Sequence, residues 1–283
     1  MHSLTHDTRL YRFVPKAGDA AANGADACSL DPGQHIKVTV DVRPGVGGSA
    51  SSGSPPGSST LWEVEQKTRS YTPVVLPLPL PAGSLLRGDA SLAPNSSATP
   101  TLDLLVKVYP TGAVSSTIDS LNMHESVTVS QATGGLPWAP EEFTEVCMVY
   151  GGTGISPMLG IMKKLVGLKG CVTNVHVIAC NRGVQDIILK DQLDQLRASS
   201  NGRLNVTHVL SKLSSDREGE ALPASSQVES SDFEFGRISS TILEARLPPA
   251  GDGVLVLICG RPSFAQSVAS MLRKTGRQYH VFG

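Results

Sequence analysis

Two short segments of this chain carry residue types and spacings that suit phosphate-bearing cofactors. Residues 69–74 are Arg-Ser-Tyr-Thr-Pro-Val, which puts a cation, a phenol and a small hydroxyl at one strand end. Residues 149–158 are Val-Tyr-Gly-Gly-Thr-Gly-Ile-Ser-Pro-Met, an apolar strand that ends in a glycine-rich turn and opens a helix. Such a turn directs backbone N–H groups and a helix N-terminus at a phosphate. Together the segments predict two cofactor-binding halves, one for a flavin and one for a nicotinamide dinucleotide.

A second glycine turn follows later in the chain. Residues 259–262 are Cys-Gly-Arg-Pro; they come after a predicted strand over 254–258 and precede a helix, where open α/β sheets bind ligands. Cys259 has two interpretations: a small buried residue that ends a strand, or a neighbour of the nicotinamide ring that helps to position the hydride. The turn at 151–154 is either a tight βα turn or a nucleotide loop, in which Thr153 donates to a phosphate or to the nicotinamide.

The segment around Arg69 also has two interpretations. In the functional one, Arg69 neutralises a pyrophosphate and Tyr71 stacks on, or hydrogen-bonds to, an isoalloxazine ring. Thr72 then donates a hydrogen bond to a ring nitrogen. In the structural one, two exposed residues flank a core tyrosine. The glycine turns in the second half of the chain favour the functional interpretation.

Composition narrows the class of protein. The 283 residues suffice for two domains, and 40% hydrophobic and 17% charged residues with a net charge of -1 are typical of a soluble globular chain. No basic excess points to nucleic acid. No run of about 18 apolar residues predicts a membrane span, and residues 1–6 do not resemble a secretory signal.

The cysteines argue against several kinds of site. There are five, scattered and never spaced as Cys-x-x-Cys, a pattern that disfavours a disulfide framework, a zinc site and a Cys-ligated iron–sulfur cluster. We therefore predict no metal site and a reducing compartment.

The first half of the chain has the pattern of short antiparallel strands. Alternation with period two and frequent Gly and Pro predict a β-barrel over residues 1–140, with flexible loops at 44–60 and 76–100. The predicted strands are 9–14, 35–42, 102–109 and 126–130, with one short helix near 117–121.

The second half, 141–283, alternates strands with helices, which predicts a parallel sheet with right-handed crossovers. A polar stretch, 214–232, is predicted to be a mobile insertion. The predicted strands are 145–150, 174–179, 204–210, 254–258 and 278–282, and the predicted helices are 156–166, 188–196, 240–245 and 262–274.

The order of the motifs resembles a known family. Arg-x-Tyr-Thr-Pro-Val is followed by Val-Lys-Val-Tyr at 106–109, Gly-x-x-Ser at 112–115, Gly-Gly-Thr-Gly-Ile-Ser-Pro-Met at 151–158 and Cys-Gly-Arg-Pro at 259–262. This series is similar to the ferredoxin reductase superfamily, and most of all to its NADH–cytochrome b5 reductase branch. The resemblance implies an N-terminal antiparallel FAD-binding β-barrel followed by a C-terminal parallel-sheet nucleotide-binding domain.

The resemblance also implies which residues bind the cofactors. The residues expected at FAD are Arg69, Tyr71, Thr72, Val74, Val108, Tyr109, Gly112, Val114 and Ser115, of which Thr72 is also a catalytic candidate. The residues expected at the nicotinamide nucleotide are Gly152, Thr153, Gly154, Cys259, Gly260, Arg261 and Pro262, with Cys259 the second catalytic candidate. Phe282 matches the family's terminal aromatic beside the flavin, although it also suits the core of the last strand.

The activity implied by the resemblance is hydride transfer from NAD(P)H to FAD, then single-electron transfer to a haem protein such as cytochrome b5. No His-Pro-Gly-Gly haem segment is present, so the acceptor is expected to be a separate molecule. Ser211, beside Lys212, stands where the branch has an aspartate that favours NADH over NADPH. We therefore expect relaxed nicotinamide preference.

Two alternatives remain: a reductase component for an oxygenase, and a cofactor-poor regulatory protein on the same fold. The resemblance implies a cytoplasmic location, with the endoplasmic reticulum surface as a specific site.

Overall fold

The computed structural model describes residues 1–16, 30–31, 33–42, 64–75, 101–212 and 232–283. The chain divides into two compact units. The main segment of the second begins at Gly135, whereas the sequence analysis places the boundary after residue 140. Residues 4–6 and 31–33 belong to the second unit.

Two small antiparallel sheets form the first unit. Strand β1 (His2–Ser3) pairs with β2 (Thr8–Phe13), which pairs with β5 (Leu102–Lys107). In the other sheet, β3 (Gln34–Val42) lies between β4 (Glu65–Tyr71) and β6 (Thr128–Val129), and β7 (Thr133–Gly134) pairs with the start of β3. The helix α1 (Ala113–Ser120) contacts β3 and β4.

The core of this unit follows from strand alternation. In β3, Ile36, Val38 and Val40 are buried, whereas the intervening Lys37 and Asp41 are exposed. Successive side chains of a strand point to opposite faces, so one apolar row faces the core. The same cluster contains Tyr11, Val42, Leu102, Leu104, Val106, Val114 and Ile118.

The second unit contains a six-stranded parallel sheet in the order β11-β10-β9-β8-β12-β13. The strands are β8 (Glu145–Gly151), β9 (Asn174–Asn181), β10 (Leu204–Leu210), β11 (Phe233–Phe235), β12 (Val254–Cys259) and β13 (Gln278–Phe282). The helices are α2 (Ile155–Gly167), α3 (Lys190–Ser199), α4 (Ser240–Arg246) and α5 (Pro262–Lys274).

Strand β8 is the point at which the strand order reverses. The chain continues from β8 to β9 on one side, and β12 pairs with β8 on the other. Residues 146–150 and 254–258 are buried throughout, as expected for parallel strands covered on both faces. Loops after adjacent strands at such a reversal form the crevice in which α/β sheets bind ligands.

The predicted division into antiparallel and parallel halves is confirmed. The differences lie at element ends and in three short strands that the sequence analysis did not predict, β1, β7 and β11. Helix α1 begins at Ala113 rather than near 117, because its apolar residues Val114 and Ile118 are one turn apart and are buried together. The predicted strand 102–109 stops at Lys107, since Tyr109 and Gly112 form a turn. The predicted strand 126–130 keeps only Thr128–Val129.

The predicted loops 44–60 and 76–100 lie outside the described residues, as does the insertion 214–232 apart from Asp232. Within the described ranges, no helix is long and apolar enough to cross a bilayer. Among those same residues, no three His, Cys, Asp or Glu side chains come together as a potential metal site.

One imidazole in the second unit is buried without a hydrogen bond at one nitrogen. His208 in β10 is 3% exposed and stacks on Phe233 with 5.4 Å between ring centroids. Its Nδ1 has no partner among the described residues. Burial lowers the pKa of His208 to about 4, so the native side chain is neutral at pH 7. The charged side chains that act on it are Lys190, Asp194 and Arg197 of α3 and Asp232.

We predict that His208 makes the second unit acid-sensitive. Its pKa is about 4 when folded, below the ordinary histidine pKa of 6.5, so the unfolded chain takes up the proton first as pH falls. The free energy of unfolding should therefore drop between pH 6.5 and 4, by up to about 3 kcal/mol. Urea titrations of wild type and His208→Gln test this, with the exposed His124→Asn as control. Equal pH slopes for His208→Gln and wild type would contradict the prediction.

Candidate functional site

The first glycine turn of the second unit lies directly at the carboxyl end of β8. Gly152–Gly154 forms a single 3₁₀ turn, and α2 begins at Ile155. Gly152 has a φ of 55°, a left-handed conformation that favours glycine. The N-cap residue of α2, Gly154, has no side chain to cap the helix, and the N–H of Ile155 donates to the carbonyl of Gly152 within the turn.

The second glycine turn is packed against the first. A Cβ atom on Gly154 would lie 2.5 Å from the carbonyl oxygen of Cys259 and 3.2 Å from the backbone nitrogen of Gly260. Cys259 is opposite Tyr150 in the pairing of β12 with β8, so both turns leave the sheet at the same level. The pair of turns therefore forms one backbone-lined surface at the strand reversal.

An aromatic residue that the sequence analysis did not select supports both turns. A Cβ on Gly260 would lie 2.7 Å from Cδ1 of Phe264, and a Cβ on Gly151 would lie 3.8 Å from the same atom. Phe264 is on the first turn of α5, two residues after Pro262, which begins that helix. The sequence contained a signal for this contact, because Phe264 closely follows Gly260. A large side chain that packs against a turn leaves room there only for glycine.

The thiol of Cys259 is not a nucleophile at neutral pH. Burial raises the pKa of Cys259 to about 11, and the smaller opposing effect comes from the backbone of Gly260. The side chain is thus a neutral thiol at the edge of the turn. Arg261 lies at the N-cap of α5 and is exposed.

Phe282 is adjacent to this turn within the second unit. It is opposite Cys259 in the pairing of β13 with β12. Its ring meets His280 edge-on at 4.8 Å, and His280 meets Trp138 edge-on at 6.1 Å. A groove of about 470 Å³ runs between α5 and β13; its lining includes Gly260, Pro262, Ala265, Ala269, Tyr279 and Phe282.

In the first unit, the segment 69–74 continues from the end of β4. Tyr71 is opposite Ile36 of β3, and Arg69 is opposite Val38. Both side chains therefore lie on the same face of the sheet as Ile36 and Val38. Burial raises the pKa of Tyr71 to about 12, the Arg69 charge opposes that shift, and Tyr109 adds to it. The side chains of Arg69 and Tyr109 are therefore close enough to Tyr71 to affect its ionisation.

The chain after Tyr71 is fixed to the other sheet. Thr72 is half-buried, Val74 is 5% exposed, and the N–H of Val74 donates to the Asp103 carbonyl at 2.9 Å. The side chain of Asp103 accepts from Arg12 Nε at 2.6 Å and from Nη2 at 2.5 Å. A bidentate ion pair of this kind links β5 to β2, and the Val74 N–H bond attaches the Thr72 segment to β5.

A turn between β5 and α1 brings the other predicted residues together. The N–H of Val108 donates to the Asp7 carbonyl at 2.7 Å, and that of Gly112 donates to the Tyr109 carbonyl at 2.9 Å. Ser115 Oγ accepts from the Tyr109 N–H at 3.1 Å. A Cβ on Gly112 would lie 2.7 Å from that Oγ, so this position requires glycine.

Helix α1 presents an uncapped N-terminus at the same turn. Gly112 is its N-cap, no side chain caps it, and no acidic residue lies in its first turn. These features leave the first N–H groups, including those of Val114 and Ser115, free of the groups that would compete with an anion.

The predicted site residues therefore form two groups, each within its own unit. Arg69, Tyr71, Thr72 and Val74 gather with the Val108–Ser115 turn in the first, and the two glycine turns gather with Phe282 in the second. The arrangement defines a class of fold, namely an antiparallel β unit followed by a parallel sheet with two glycine turns at its strand reversal.

Comparison with known proteins supports this class and narrows it. Residues 148–270 match the family model described as oxidoreductase NAD-binding domain. NADH-cytochrome b5 reductase 1 of Cryptococcus neoformans is 27% identical over 281 residues, which are 96% of this chain and 75% of that protein. The resemblance inferred from the motifs is therefore confirmed over nearly the whole chain.

Solved structures share the fold. The CS-b5R domains of human Ncb5or in the NAD+ form superpose with a TM-score of 0.67 at 24% identity, covering 99% of this chain and 66% of that one. Flavohemoglobin from Malassezia yamatoensis, with bound FAD and heme, gives a TM-score of 0.63 at 16% identity, covering 100% of this chain and 58% of that one.

The contact between the glycine turns predicts a sharp difference between two Gly→Ala changes in one segment. Gly154→Ala should destabilise the second unit by about 2–3 kcal/mol, because the added methyl group overlaps the Cys259 carbonyl. It should also weaken NAD+ binding at least tenfold. Gly160→Ala, in α2 and with nothing within 4 Å of the added atom, should stabilise the helix by about 0.5–1 kcal/mol. Urea unfolding and calorimetric NAD+ titration measure both effects.

Binding of NAD+ by Gly154→Ala with wild-type affinity would show that the two turns tolerate separation. The nucleotide surface described above would then be wrong.

Proposed function

We propose that this chain is an FAD-dependent NADH oxidoreductase that delivers electrons singly to a haem protein such as cytochrome b5. The observation that carries the proposal is the contact between two glycine turns at the strand reversal, in a chain whose other unit has an anion-accepting turn beside a basic strand end. Similarity to NADH-cytochrome b5 reductase 1 over 96% of the chain supports the acceptor.

When bound, FAD supplies the conversion of a two-electron hydride donor into two one-electron transfers. The residues of the first unit fit such a group. The Arg69 guanidinium would neutralise its pyrophosphate, and the half-buried Tyr71 would contact its ring. The Thr72 hydroxyl would donate to a ring nitrogen, while buried Val74 holds the segment against β5 by its N–H bond to Asp103.

The turn before α1 would hold the phosphates. Gly112 allows the backbone to close tightly on Ser115, and the first N–H groups of α1, including that of Val114, are uncapped. Val108 and Tyr109 would contact the flavin through backbone and ring. No side chain here is required as a general base, because the proton and electrons travel together as a hydride.

The glycine turns of the second unit would bind the nicotinamide nucleotide. Gly152, Thr153 and Gly154 offer backbone N–H groups and one hydroxyl, and Gly260 to Pro262 form the opposite side. The neutral Cys259 thiol would pack beside the ring without reacting with it, consistent with its raised pKa of about 11.

The purified chain with FAD tests the proposal. We expect a flavin absorption spectrum that bleaches when NADH is added without oxygen, and subsequent reduction of added cytochrome b5. Arg69→Ala should weaken FAD affinity about tenfold through loss of one charge-assisted contact. Lys67→Ala, two residues earlier on the same strand face, is the matched control and should retain FAD.

Failure to bind FAD would favour a cofactor-poor regulatory protein. Flavin bleaching by NADH without transfer to cytochrome b5, but with transfer to an oxygenase component, would favour the second alternative and overturn the proposed acceptor.

We propose further that the chain also accepts NADPH. The Ser211 N–H donates to the Asn181 carbonyl at 3.0 Å, and the Lys212 N–H donates to the Arg182 carbonyl at 2.8 Å. The ends of β9 and β10 thus bring two exposed cations, Arg182 and Lys212, to neighbouring backbone positions without a carboxylate at 211. Positive charge there would attract a ribose phosphate.

Steady-state kinetics test the nicotinamide preference. We expect kcat/KM values for NADH and NADPH within about tenfold of each other, since residue 211 has no carboxylate to oppose the phosphate. Ser211→Asp should lower the NADPH value by about tenfold or more and leave the NADH value nearly unchanged. Ser199→Asp, an exposed position at the end of α3, controls for charge alone. Strong NADH-only behaviour of the wild type would refute relaxed preference.

For location, we propose the cytoplasm, including the endoplasmic reticulum surface, where reducing conditions suit scattered free cysteines. Fractionation of cells that express the tagged chain tests this, and recovery in the secreted fraction would refute it.

A further inference from the structure

Helix α1 has little stability of its own. It has eight residues, Ala-Val-Ser-Ser-Thr-Ile-Asp-Ser, and half of them carry hydroxyl groups. Helices shorter than about 12–15 residues are marginal in water even with favourable sequences. The hydroxyls of Ser116, Thr117 and Ser120 bond back to carbonyls of the preceding turn, which adds no external support. Contacts with the sheets must therefore set the direction of this helix.

The apolar contacts of α1 leave one motion open. Val114 and Ile118 are 4% and 0% exposed and lie one helical turn apart, so they form a single buried stripe. Two buried side chains one turn apart fix the depth of a helix, but so short a contact allows the helix axis to tilt. At the helix start Ser115 Oγ accepts from the Tyr109 N–H, so a contact at the other end is needed to fix the direction of the axis.

Asp119 is unfavourably placed for a helix that is stabilised by local interactions alone. It lies in the last turn, where the carbonyl ends carry partial negative charge and a carboxylate is unfavourable. No basic residue in that turn offsets it. A residue that opposes local preference in this way needs a compensating partner elsewhere.

Two residues of β2 provide that compensation. Arg9 and Tyr11 are two positions apart, so they point to the same face of the strand. The Tyr11 hydroxyl donates to Asp119 Oδ1 at 2.5 Å, and Arg9 Nε lies 3.1 Å from the same oxygen. Burial, followed by the hydrogen bond to Asp119, raises the pKa of Tyr11, so the phenol remains a donor. We name these three residues the Asp119 clamp.

We propose that Asp119 is a positioning residue: through Arg9 and Tyr11 it fixes the direction of α1, so that the uncapped N–H groups at the helix start face the FAD pyrophosphate. The inference rests on the proposed function, since it assumes that FAD binds the first unit. Asp119 is at the opposite end of α1 from the phosphate turn, so it touches no atom of the cofactor. Its effect would reach the phosphates through the direction of the helix.

The clamp has a geometric consequence that separates it from general stabilisation. A helix that tilts on the short Val114–Ile118 contact changes the direction of its N-terminal N–H groups but leaves Tyr71 and Thr72 in place, because these are anchored through β4 and Asp103. Weakening the clamp should therefore loosen the phosphate contacts without changing the surroundings of the flavin ring. Unfolding of the unit would disturb both.

Three variants of the full chain test the clamp: Tyr11→Phe, Asp119→Asn and the double variant. Each single change should raise the Kd for FAD about five- to tenfold, as expected when a charge-assisted hydrogen bond is weakened. The double variant should be no worse than the weaker-binding single variant, since both changes disrupt one network. Asp194→Asn, which disrupts the Lys190–Asp194 ion pair in the second unit, is the matched control and should leave the Kd unchanged.

The same proteins are used for three further measurements. These are the visible spectrum of bound FAD, its midpoint potential, and kcat for NADH at saturating FAD. Unchanged values beside a raised Kd support the clamp. A shifted potential or reduced kcat, or an unchanged Kd in both single variants, overturns it. If Asp119→Asn fails to fold, Tyr11→Phe alone decides the question, because it removes one oxygen atom. Wild type that binds no FAD refutes the proposed function rather than the clamp.

Discussion

The proposed nucleotide surface of this protein depends on the close approach of two backbone segments, Gly154 and the carbonyl of Cys259. Only a hydrogen atom fits between them, since a Cβ would lie 2.5 Å from the carbonyl oxygen. That contact requires β8 and β12 to be neighbours, and their parallel register brings Tyr150 opposite Cys259. Helices α2 and α5 then both begin at the same edge of the sheet, so their uncapped N–H groups can serve one ligand.

In the first unit, the segments proposed to bind FAD come from separate strands. Residues of β2 and β5 connect them. Asp7 accepts from Val108, Asp103 accepts from Val74, and Asp119 of α1 meets Arg9 and Tyr11. Every one of these bonds joins segments that are distant in the chain. The cradle is thus maintained by polar contacts around an apolar core, rather than by any single loop.

Much of this architecture is predictable from local pattern. The buried runs of β8 and β12, the alternation in β3 and the proline at the start of α5 each identify an element without knowledge of its neighbours. Element ends were less accurate, as in α1, because hydroxyl-rich residues favour helix and turn almost equally and the buried stripe decides between them. The clamp and Phe264 were missed, since their importance lies in partners far along the chain.

The sequence by itself determined the residue types at each strand end, the change from period-two strands to alternating strands and helices, and hence the order of the two units. These are local properties, set by backbone sterics and side-chain chemistry over a few residues. The tertiary structure decided which strand ends meet, which glycines are indispensable, and which carboxylates have a hydrogen-bonded or charged partner. These depend on the approach of segments a hundred or more residues apart, as with Tyr11 and Asp119, whose separation is 108 positions.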